Sequence, residues 1–418
     1  MNTKPLTIAM LSLHSSPIGP LGAQDTGGMS VYVRELARGL GAGGHRVDIF
    51  TCVGAGKTEI ELYPNVRLVH LGAGLKTIPA KEALPENLPQ AFDALDTYRQ
   101  AHGCTYDMVH SHYWLSGMVG LMAREMWRCP HVITFHTLAA RKNRASDMEN
   151  EPDLRLAGER RLAIETDCIV VPVREEGRFL EEAYGARPSG ITVVPGGVNL
   201  SLFTPIDQTT ARQRLNLPKD AKLMLYVGRF APLKRVDRLI KSVAQLRTRE
   251  RDVHLTIVGG DDPDDESTLT LKTIVSELQI EGNVRFAGRV DQQTLPLYYS
   301  AADLLALPSD YESFGLVLLE AMACGTPVMA SRVGIAPTLV EEGINGTLLE
   351  NSTIDSLVRG IECLTAGDRP AAERIRSTVT PYGWPGIAAA MVDVYVSLLK
   401  REAHDENNHS DPKGKALS

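Results

Sequence analysis

The sequence predicts an α/β fold in which two Rossmann-like, doubly wound domains face each other across a cleft. At 418 residues, the chain is longer than one ordinary domain of about 100–200 residues. Short runs of β-forming residues alternate with helical patterns, which indicates βαβ units and parallel sheets. The alternation stops at a turn-rich segment near the middle of the chain and then starts again. We therefore predict domains over residues 1–205 and 206–382.

The first half contains strand-like apolar runs separated by helical or turn-forming segments. The predicted strands are Leu6–Leu13, Val47–Cys52, Val66–Leu71, Met108–His110, His131–Phe135, Cys168–Pro172 and Ile191–Val194. The first helix should begin near Gly28, because Val33, Leu36, Ala37 and Leu40 recur at helical spacing. Ligands bind such sheets beyond the carboxyl ends of the strands, so residues that directly follow strands should carry the chemistry.

The second half repeats this pattern after a linker marked by Pro195-Gly196-Gly197 and Phe203-Thr204-Pro205. Its predicted strands are Leu223–Val227, His254–Val258, Val284–Phe286, Leu304–Leu307 and Val328–Ala330. Apolar residues on one face predict a helix over Arg235–Arg247. A last helix is predicted over 383–401, and the polar residues 402–418 should form a disordered tail.

Composition and charge exclude several classes of protein. The net charge of −7 argues against nucleic acid or an anionic membrane as a partner. The six cysteines are scattered without metal-binding spacing, so we expect reduced, buried thiols in a cytoplasmic protein. No apolar run reaches membrane-spanning length, so we expect no integral membrane segment. The oligomeric state stays open, and a homodimer is one candidate.

Two glycine clusters differ in their positions relative to the predicted elements. The run Gly39-Leu40-Gly41-Ala42-Gly43-Gly44 matches GxGxxG, but it closes a helix where a dinucleotide site should open one. It is therefore interpreted as a helix C-terminus and a turn. Gly27 and Gly28, in contrast, follow the first strand and precede a helix, where backbone amides can approach a phosphate.

Charged residues follow two strands of the second half. Arg229 and Lys234 come directly after Leu223–Val227, where an Arg fork and a Lys can bracket a diphosphate. Glu312 follows Leu304–Leu307, and Glu320 lies in an apolar helix where an unpaired carboxylate would be costly. A ribose diol would supply two donors to Glu320. We therefore predict a nucleotide site here.

Histidines in the first half also follow strands. His136 is the candidate for contacting a transferred group, whereas His110 and His112 are interpreted as structural. The acidic run from Asp261 to Glu266 is interpreted as a solvated loop, because like charges crowd there without partners. No protein metal site and no required cofactor are predicted, although Mg²⁺ accompanying the donor is left open.

These motifs resemble those of the retaining glycosyltransferases of family GT4, which have the GT-B fold. The resemblance rests on Gly27-Gly28-Met29, Gly228-Arg229 with Lys234, and Glu312 to Glu320. It implies that the second domain binds a nucleotide sugar, that the first binds the acceptor, and that the final helix returns to the first domain. The donor residues it implies are Gly27, Gly28, Arg229, Lys234, Arg289, Glu312, Ser313, Phe314, Gly315, Leu316 and Glu320.

Within that family, the likeness is greatest to the branch that acts on inositol 3-phosphate. The matching stretches are Val109 to Gly117, His136 to Ala140, and Lys142-Asn143. The resemblance implies N-acetylglucosaminyl transfer from a UDP-sugar to 1D-myo-inositol 3-phosphate. The acceptor phosphate would be held by residues matching Lys81, Tyr113, Thr137 and Arg155, and His136, Arg229, Lys234 and Glu312 would serve catalysis.

Other functions remain open from the sequence. One is glucosyl transfer to a sugar phosphate, as in sucrose-phosphate synthases, and another is a family GT4 enzyme with a different acceptor. A nicotinamide-dependent dehydrogenase would need a GxGxxG after the first strand. A glycoside hydrolase would use Glu312 and Glu320 without a nucleotide. A non-catalytic sensor would bind a nucleotide sugar without turnover.

Overall fold

The computed structural model describes residues 4–19, 26–52, 58–74, 84–146, 150–260, 265–365 and 370–409. These residues form two parallel-stranded sheets, each covered by helices on both faces. Lys81, the tail 410–418 and residues 261–264 of the acidic run lie outside the described residues.

The first sheet has eight strands. In chain order they are β1 (Thr7–Leu11), β2 (Arg46–Thr51), β3 (Glu59–Tyr63), β4 (Val66–His70), β5 (Met108–His112), β6 (His131–Thr134), β7 (Cys168–Val171) and β8 (Ile191–Val193). Their order across the sheet is β3-β4-β2-β1-β5-β6-β7-β8, with every neighbouring pair parallel except β3 and β4. The antiparallel edge strand β3 was not predicted, because its charged, partly exposed sequence lacks an apolar run.

The helices of the first domain cover both faces of this sheet. They are α1 (Gly28–Ala42), α2 (Leu88–Ala101), α3 (Tyr113–Trp127), α4 (Ala139–Ala145), α5 (Asp153–Glu165) and α6 (Arg174–Tyr184). Helix α1 begins at Gly28 as predicted and ends before Gly43. The GxGxxG-like run therefore closes a helix, as its position in the sequence indicated.

The second sheet has six strands, all parallel. They are β9 (Lys222–Gly228), β10 (Val253–Gly259), β11 (Val284–Gly288), β12 (Leu304–Leu307), β13 (Val328–Ala330) and β14 (Gly346–Leu348), in the order β11-β10-β9-β12-β13-β14. Five of these strands coincide with predicted ones, and β14 was missed because three residues carry too little pattern.

The helices of the second domain complete its two layers. They are α7 (Gln208–Leu215), α8 (Val236–Thr248), α9 (Glu266–Glu277), α10 (Leu295–Ala301), α11 (Leu316–Ala323), α12 (Ala336–Leu339), α13 (Ile354–Thr365) and α14 (Ala372–Ser377). Helix α8 lies within one residue of its predicted bounds. Its buried residues belong to one apolar core on one face of the sheet, and α10 and α11 contribute to a second core on the other face.

The final helix α15 (Trp384–His409) packs against α1 of the first domain. Trp384, Met391 and Tyr395 are buried in the same core as residues of β1 and β2. The two helices approach closely at Gly39, where an added Cβ would lie 2.7 Å from that of Ala388. The sequence prediction ended this helix at Arg401, whereas the structure continues it to His409.

Two segments carry the chain between the sheets, and they are hydrogen-bonded to each other. Val198 and Gly383 form an isolated parallel bridge, in which the Val198 amide donates to the Tyr382 carbonyl at 2.8 Å. Arg376 reinforces the linker by donating to the carbonyls of Leu200 and Phe203. The outward and return segments are therefore joined by hydrogen bonds.

The cysteines and the helices bear on two further expectations. All six cysteines are free thiols; five are buried, but Cys363 is exposed, contrary to the expectation of six buried thiols. In the part of the chain that the structure describes, every helix is too short or too polar to cross a membrane.

Candidate active site

A cavity of about 780 Å³ lies between the carboxyl ends of the two sheets. Every candidate site residue within the described part of the chain lines it. The first domain contributes Gly27, Gly28, Tyr113, His136, Thr137 and Arg155, and the second contributes Arg229, Lys234, Arg289, Glu312, Ser313, Phe314, Gly315, Leu316 and Glu320. Residues distant in sequence therefore surround one space, and Arg229 and Glu320 lie on the same side of their sheet.

Lys234 and Glu312 form an ion pair on the second-domain wall. The Lys234 Nζ atom lies 2.6 Å from Glu312 Oε1, which also accepts from the Ser309 hydroxyl at 2.9 Å. Sequence analysis assigned these residues to different parts of a donor and did not foresee their contact. The same loop holds Arg229, whose carbonyl accepts from the Tyr226 hydroxyl at 2.7 Å. These partly buried contacts fix the Lys234 side chain and the backbone at Arg229.

Glu320 is a buried carboxylate within the apolar helix α11. Its Oε2 accepts from the Tyr299 hydroxyl at 2.7 Å, and the side chain of Gln292 also bonds to it. Burial raises the pKa of Glu320 to about 7, an effect that these hydrogen bonds partly oppose. Both hydrogen-bond partners are neutral groups, and the charge of Arg34 also acts to lower the pKa of Glu320.

Sequence reasoning missed Gln292, which lines the cavity, and its hydrogen-bond partner Arg34. Gln292 follows β11 and lines the cavity beside Glu320. Its position after a strand was the signal in the sequence that could have identified it. Arg34, on α1 of the first domain, donates across the cleft to Gln292 Oε1. Arg34 lies in the interior of a helix, where sequence position alone gives no such signal.

The loop before α11 has a backbone that requires glycine. Gly315 has φ of +98° and Gly334 has φ of +54°, both in the left-handed region. A Cβ at Gly334 would lie 2.2 Å from the Phe314 carbonyl oxygen, which accepts from the Ile335 amide at 2.8 Å. The close approach of these two loops fixes the wall that carries Glu312 and Ser313.

Three candidate acceptor residues meet on the first-domain wall. Arg155 Nη2 donates to Thr137 Oγ1 at 2.9 Å and to the Thr137 carbonyl at 3.0 Å. Its guanidinium carbon lies 4.7 Å from the centre of the Tyr113 ring. Arg155 therefore lies in the same pocket as Tyr113 and Thr137.

Two glutamates hold Arg155 in place. Glu159 Oε1 lies 2.7 Å from Arg155 Nε, and Glu151 Oε2 lies 2.8 Å from Arg155 Nη1. Glu151 also pairs with Lys142. Although burial acts to raise the pKa of Glu151, Arg155 and Lys142 lower it below its ordinary value. Sequence analysis missed both glutamates, whose i, i+4 spacing from Arg155 was the available signal.

His136 lies at the cavity with a second histidine behind it. His136 Nε2 is 2.9 Å from His112 Nδ1, and His112 is fully buried. Burial lowers the pKa of His136 to about 3, so its ring is neutral at neutral pH. His110 instead bonds Tyr395 and Thr134 within the core. The structural interpretation therefore fits His110, whereas His112 contacts the candidate residue directly.

A buried carboxyl group joins the two domains beside the cavity. Glu176 of α6 is 2% exposed, and its Oε2 accepts from the Ser313 hydroxyl at 2.8 Å. Burial raises the pKa of Glu176 to about 7, an effect that the Ser313 hydrogen bond partly opposes. At neutral pH this group is close to half protonated, so the charge at the domain interface changes with pH.

Glu176→Gln should change how stability depends on pH. The folded-state pKa of about 7 exceeds the ordinary value of 4.5, so the unfolded chain loses this proton first as pH rises. Stability from Glu176 is therefore full below pH 4.5 and falls through about pH 7, by about 3 kcal/mol. Urea denaturation at pH 4.5, 6 and 8 should show that the free energy of unfolding of the variant increases relative to that of the wild type as pH rises. Glu175→Gln, at the exposed neighbouring position, is the control, and parallel pH curves for wild type and Glu176→Gln would contradict the prediction.

No group of three His, Cys, Asp or Glu side chains is arranged to hold a metal ion within the described ranges. Of the acidic run, Asp265 caps α9 by accepting from the Ser267 amide, and Glu266 begins that helix. These two residues thus have roles in local structure.

Family models match both halves of the chain. The model described as Glycosyltransferase Family 4 matches residues 26–202, and the model described as Glycosyl transferases group 1 matches residues 207–378. Each match falls within one of the two sheets and its helices. The first therefore corresponds to the wall with Tyr113 and Arg155, and the second to the wall with Lys234 and Glu320.

Relatives and a solved structure match nearly the whole chain. D-inositol 3-phosphate glycosyltransferase 2 of Catenulispora acidiphila is 38% identical, over 94% of this chain and 96% of that protein. D-inositol 3-phosphate glycosyltransferase of Geodermatophilus obscurus is also 38% identical, over 96% of this chain and 91% of that protein. The structure of sucrose-phosphate synthase from Thermosynechococcus elongatus has a TM-score of 0.86 and 34% identity, over 95% and 100% of the two chains.

The two doubly wound domains enclose a cavity between the carboxyl ends of their strands. Together with the matches above, this arrangement defines an enzyme of the glycosyltransferase class with the GT-B fold. The fold and activity class predicted from the sequence are confirmed. More particularly, the chain belongs to glycosyltransferase family 4.

Proposed function

We propose that this enzyme transfers a hexosyl group, with net retention of anomeric configuration, from a UDP-sugar to a phosphorylated polyol. The group we propose is N-acetylglucosaminyl, and the acceptor is 1D-myo-inositol 3-phosphate. Relatives with 38% identity over nearly the whole chain carry the name D-inositol 3-phosphate glycosyltransferase, which supports this acceptor.

The observation that carries the proposal is the division of chemistry between the two walls of one cavity. The second-domain wall holds two cations, Arg229 and Lys234, and the buried carboxylate of Glu320. The first-domain wall holds Arg155 and Thr137 in direct contact. A nucleotide diphosphate needs the first set, and a phosphorylated acceptor needs the second.

On the donor side, the chemistry requires charge stabilisation as the glycosidic bond breaks, because the leaving group is a diphosphate. We infer that Arg229 and Lys234 supply it, together with backbone amides at the start of α11, without a required cofactor. Glu312, beside Lys234, would accept from hydroxyls of the transferred sugar. Arg289, which follows β11, would lie near the base. Front-side displacement assisted by the leaving phosphate is the route to retention that this set supports.

On the acceptor side, Glu151 occupies the position that an incoming phosphate would need. It pairs with both Lys142 and Arg155, so the two cations are already neutralised. An ionised carboxylate would repel a phosphate dianion at that distance. We infer that the acceptor phosphate displaces Glu151 from Arg155, with Tyr113 and Thr137 contributing hydroxyls. Lys81, outside the described residues, remains a predicted fourth contact.

A second acceptor class is favoured by a separate observation. The sucrose-phosphate synthase structure is 34% identical and superposes with a TM-score of 0.86. Glucosyl transfer from UDP-glucose to a sugar phosphate is therefore the alternative function. Both functions use a phosphorylated acceptor, so the pocket around Arg155 does not distinguish them.

A substrate panel tests the proposal. Purified enzyme would receive UDP-GlcNAc, UDP-glucose or GDP-sugars, each with inositol 3-phosphate, fructose 6-phosphate or unphosphorylated inositol. We expect the highest kcat/KM with UDP-GlcNAc and inositol 3-phosphate, and an α-linked product by NMR. Preference for UDP-glucose with fructose 6-phosphate would establish the alternative.

Two other outcomes would overturn the proposal. Binding of UDP-sugars without turnover on any acceptor would indicate a sensor, and cleavage of simple glycosides without nucleotide would indicate a hydrolase. The unphosphorylated inositol arm is the matched control for the acceptor site, because it differs only in the phosphate that Arg155 is proposed to bind.

A further inference from the structure

We propose that His112 is a positioning residue, which donates its Nδ1 proton to His136 Nε2 and thereby fixes His136 as the tautomer that carries its proton on Nδ1. His136 would then offer an N–H donor, and not a basic nitrogen, on the ring atom left available to substrate. The proposal rests on the proposed location of His136 beside the transferred sugar.

The contact itself is direct. His112 Nδ1 and His136 Nε2 are 2.9 Å apart, and the two ring centres are 5.1 Å apart with planes inclined by 34°. Two neutral imidazole nitrogens in contact at that distance share one proton, because two facing N–H groups would clash and two facing lone pairs would repel. Whichever ring donates, the tautomers of both are coupled.

The opposite edge of His112 decides the direction. Its Nε2 atom is buried and has no hydrogen-bond partner in the part of the chain that the structure describes. If His136 were the donor, the proton of His112 would sit on Nε2 as a buried N–H without an acceptor. Buried N–H groups without an acceptor are rarer in proteins than buried acceptor atoms without a donor. The proton of His112 therefore belongs on Nδ1, which faces His136.

The surroundings hold both rings in place. His110, fixed by Tyr395 at 2.7 Å and Thr134 at 3.0 Å, packs against His112 with ring centres 4.3 Å apart. The Tyr32 ring lies edge-on to His136, 5.0 Å between centres, and to His112 at 5.8 Å. Burial keeps the pKa of each histidine low, so the neutral tautomers persist across neutral pH.

The backbone at His136 supports a specific role for this ring. Its φ of +62° lies in the left-handed region, which non-glycine residues seldom adopt. Such conformations persist when the surrounding structure enforces them, and they cluster at functional sites.

The test compares two replacements of His112 in the full chain. His112→Asn keeps an N–H at the same number of bonds from Cβ as Nδ1, whereas His112→Leu removes it. In ¹⁵N-histidine-labelled protein, long-range ¹H–¹⁵N NMR should show His136 protonated on Nδ1 in the wild type and in His112→Asn. In His112→Leu we expect a mixture of His136 tautomers and a kcat that falls with the fraction protonated on Nδ1, by about two- to tenfold, with His112→Asn recovering most of it.

His131→Leu is the matched control, since His131 is equally buried, bonds Ser111 and does not line the cavity. It should leave the His136 tautomer unchanged. A wild-type His136 protonated on Nε2, or a His112→Leu variant that loses thermal stability without a change in tautomer or kcat, would overturn the proposal. The NMR signal needs no turnover, so failure here is distinguishable from failure of the proposed reaction.

Discussion

Lys234→Ala should lower kcat/KM for sugar transfer by about 10²- to 10³-fold, the largest effect expected of any single change in the site. Under the proposed function, the change removes a cation from the leaving diphosphate. It also leaves Glu312 with the Ser309 hydroxyl but without its ion-pair partner at 2.6 Å. An uncompensated carboxylate would then face the developing charge of the diphosphate. The rate of UDP release in the presence of acceptor is the measurement.

Lys241→Ala is the matched control for Lys234→Ala. Lys241 lies on α8, close along the chain, and pairs at 3.2 Å with Asp237 in a partly exposed position. Its removal should change kcat/KM less than about twofold, because Lys241 does not line the cavity and such pairs contribute little to stability. A Lys234→Ala enzyme that releases UDP at the wild-type rate would refute the assignment of the diphosphate site.

Glu320→Gln should weaken binding of a UDP-sugar by about 10- to 100-fold, because one charged acceptor of a ribose hydroxyl is lost. The wild type should discriminate against the 2′-deoxyuridine analogue, whereas the variant should bind the two donors within about threefold. Calorimetric titration of both donors against both proteins measures this directly. The comparison isolates the ribose, since everything else in the donor is unchanged.

The pH dependence of donor binding gives Glu320 an independent signature. Because burial raises its pKa to about 7, the wild-type carboxyl is largely protonated at pH 6 and ionised at pH 8. Donor binding should therefore strengthen from pH 6 to pH 8 in the wild type and stay level in Glu320→Gln. Glu362→Gln, a partly exposed change on α13 at a residue that does not line the cavity, should follow the wild type. If wild type and Glu320→Gln discriminate equally between the UDP-sugar and its 2′-deoxy analogue, the assignment of Glu320 to the ribose is refuted.

The sequence predicted residues that line this cavity because several of them follow the ends of strands. Arg229 follows β9 and His136 follows β6, and a parallel sheet brings such positions to one edge whatever their separation in sequence. Glu320 was recognisable as a carboxylate among apolar residues. In each case a local pattern carried information about a place in the fold.

Other parts of the site depend on contacts that no local pattern encodes. The pairing of Lys234 with Glu312 joins side chains 78 residues apart, and the pairing of Glu151 with Lys142 joins a loop residue to helix α4. Arg34 reaches Gln292 across the cleft, which requires the relative placement of two domains. Strand β3 was missed for a related reason. Its charged sequence forms a strand because it hydrogen-bonds to the edge of β4, and that contact is not visible in the sequence of β3 itself.

The return of the last helix has a consequence for biosynthesis. Trp384, Met391 and Tyr395 are buried in the first domain, yet they are translated after the entire second domain. The amino-terminal sheet is therefore synthesised with one apolar surface uncovered. About 180 further residues must be translated before the final helix can cover that surface. The half of the enzyme that is synthesised first is thus the half that completes its interior last, and nascent chains stalled before Trp384 would display that surface to chaperones.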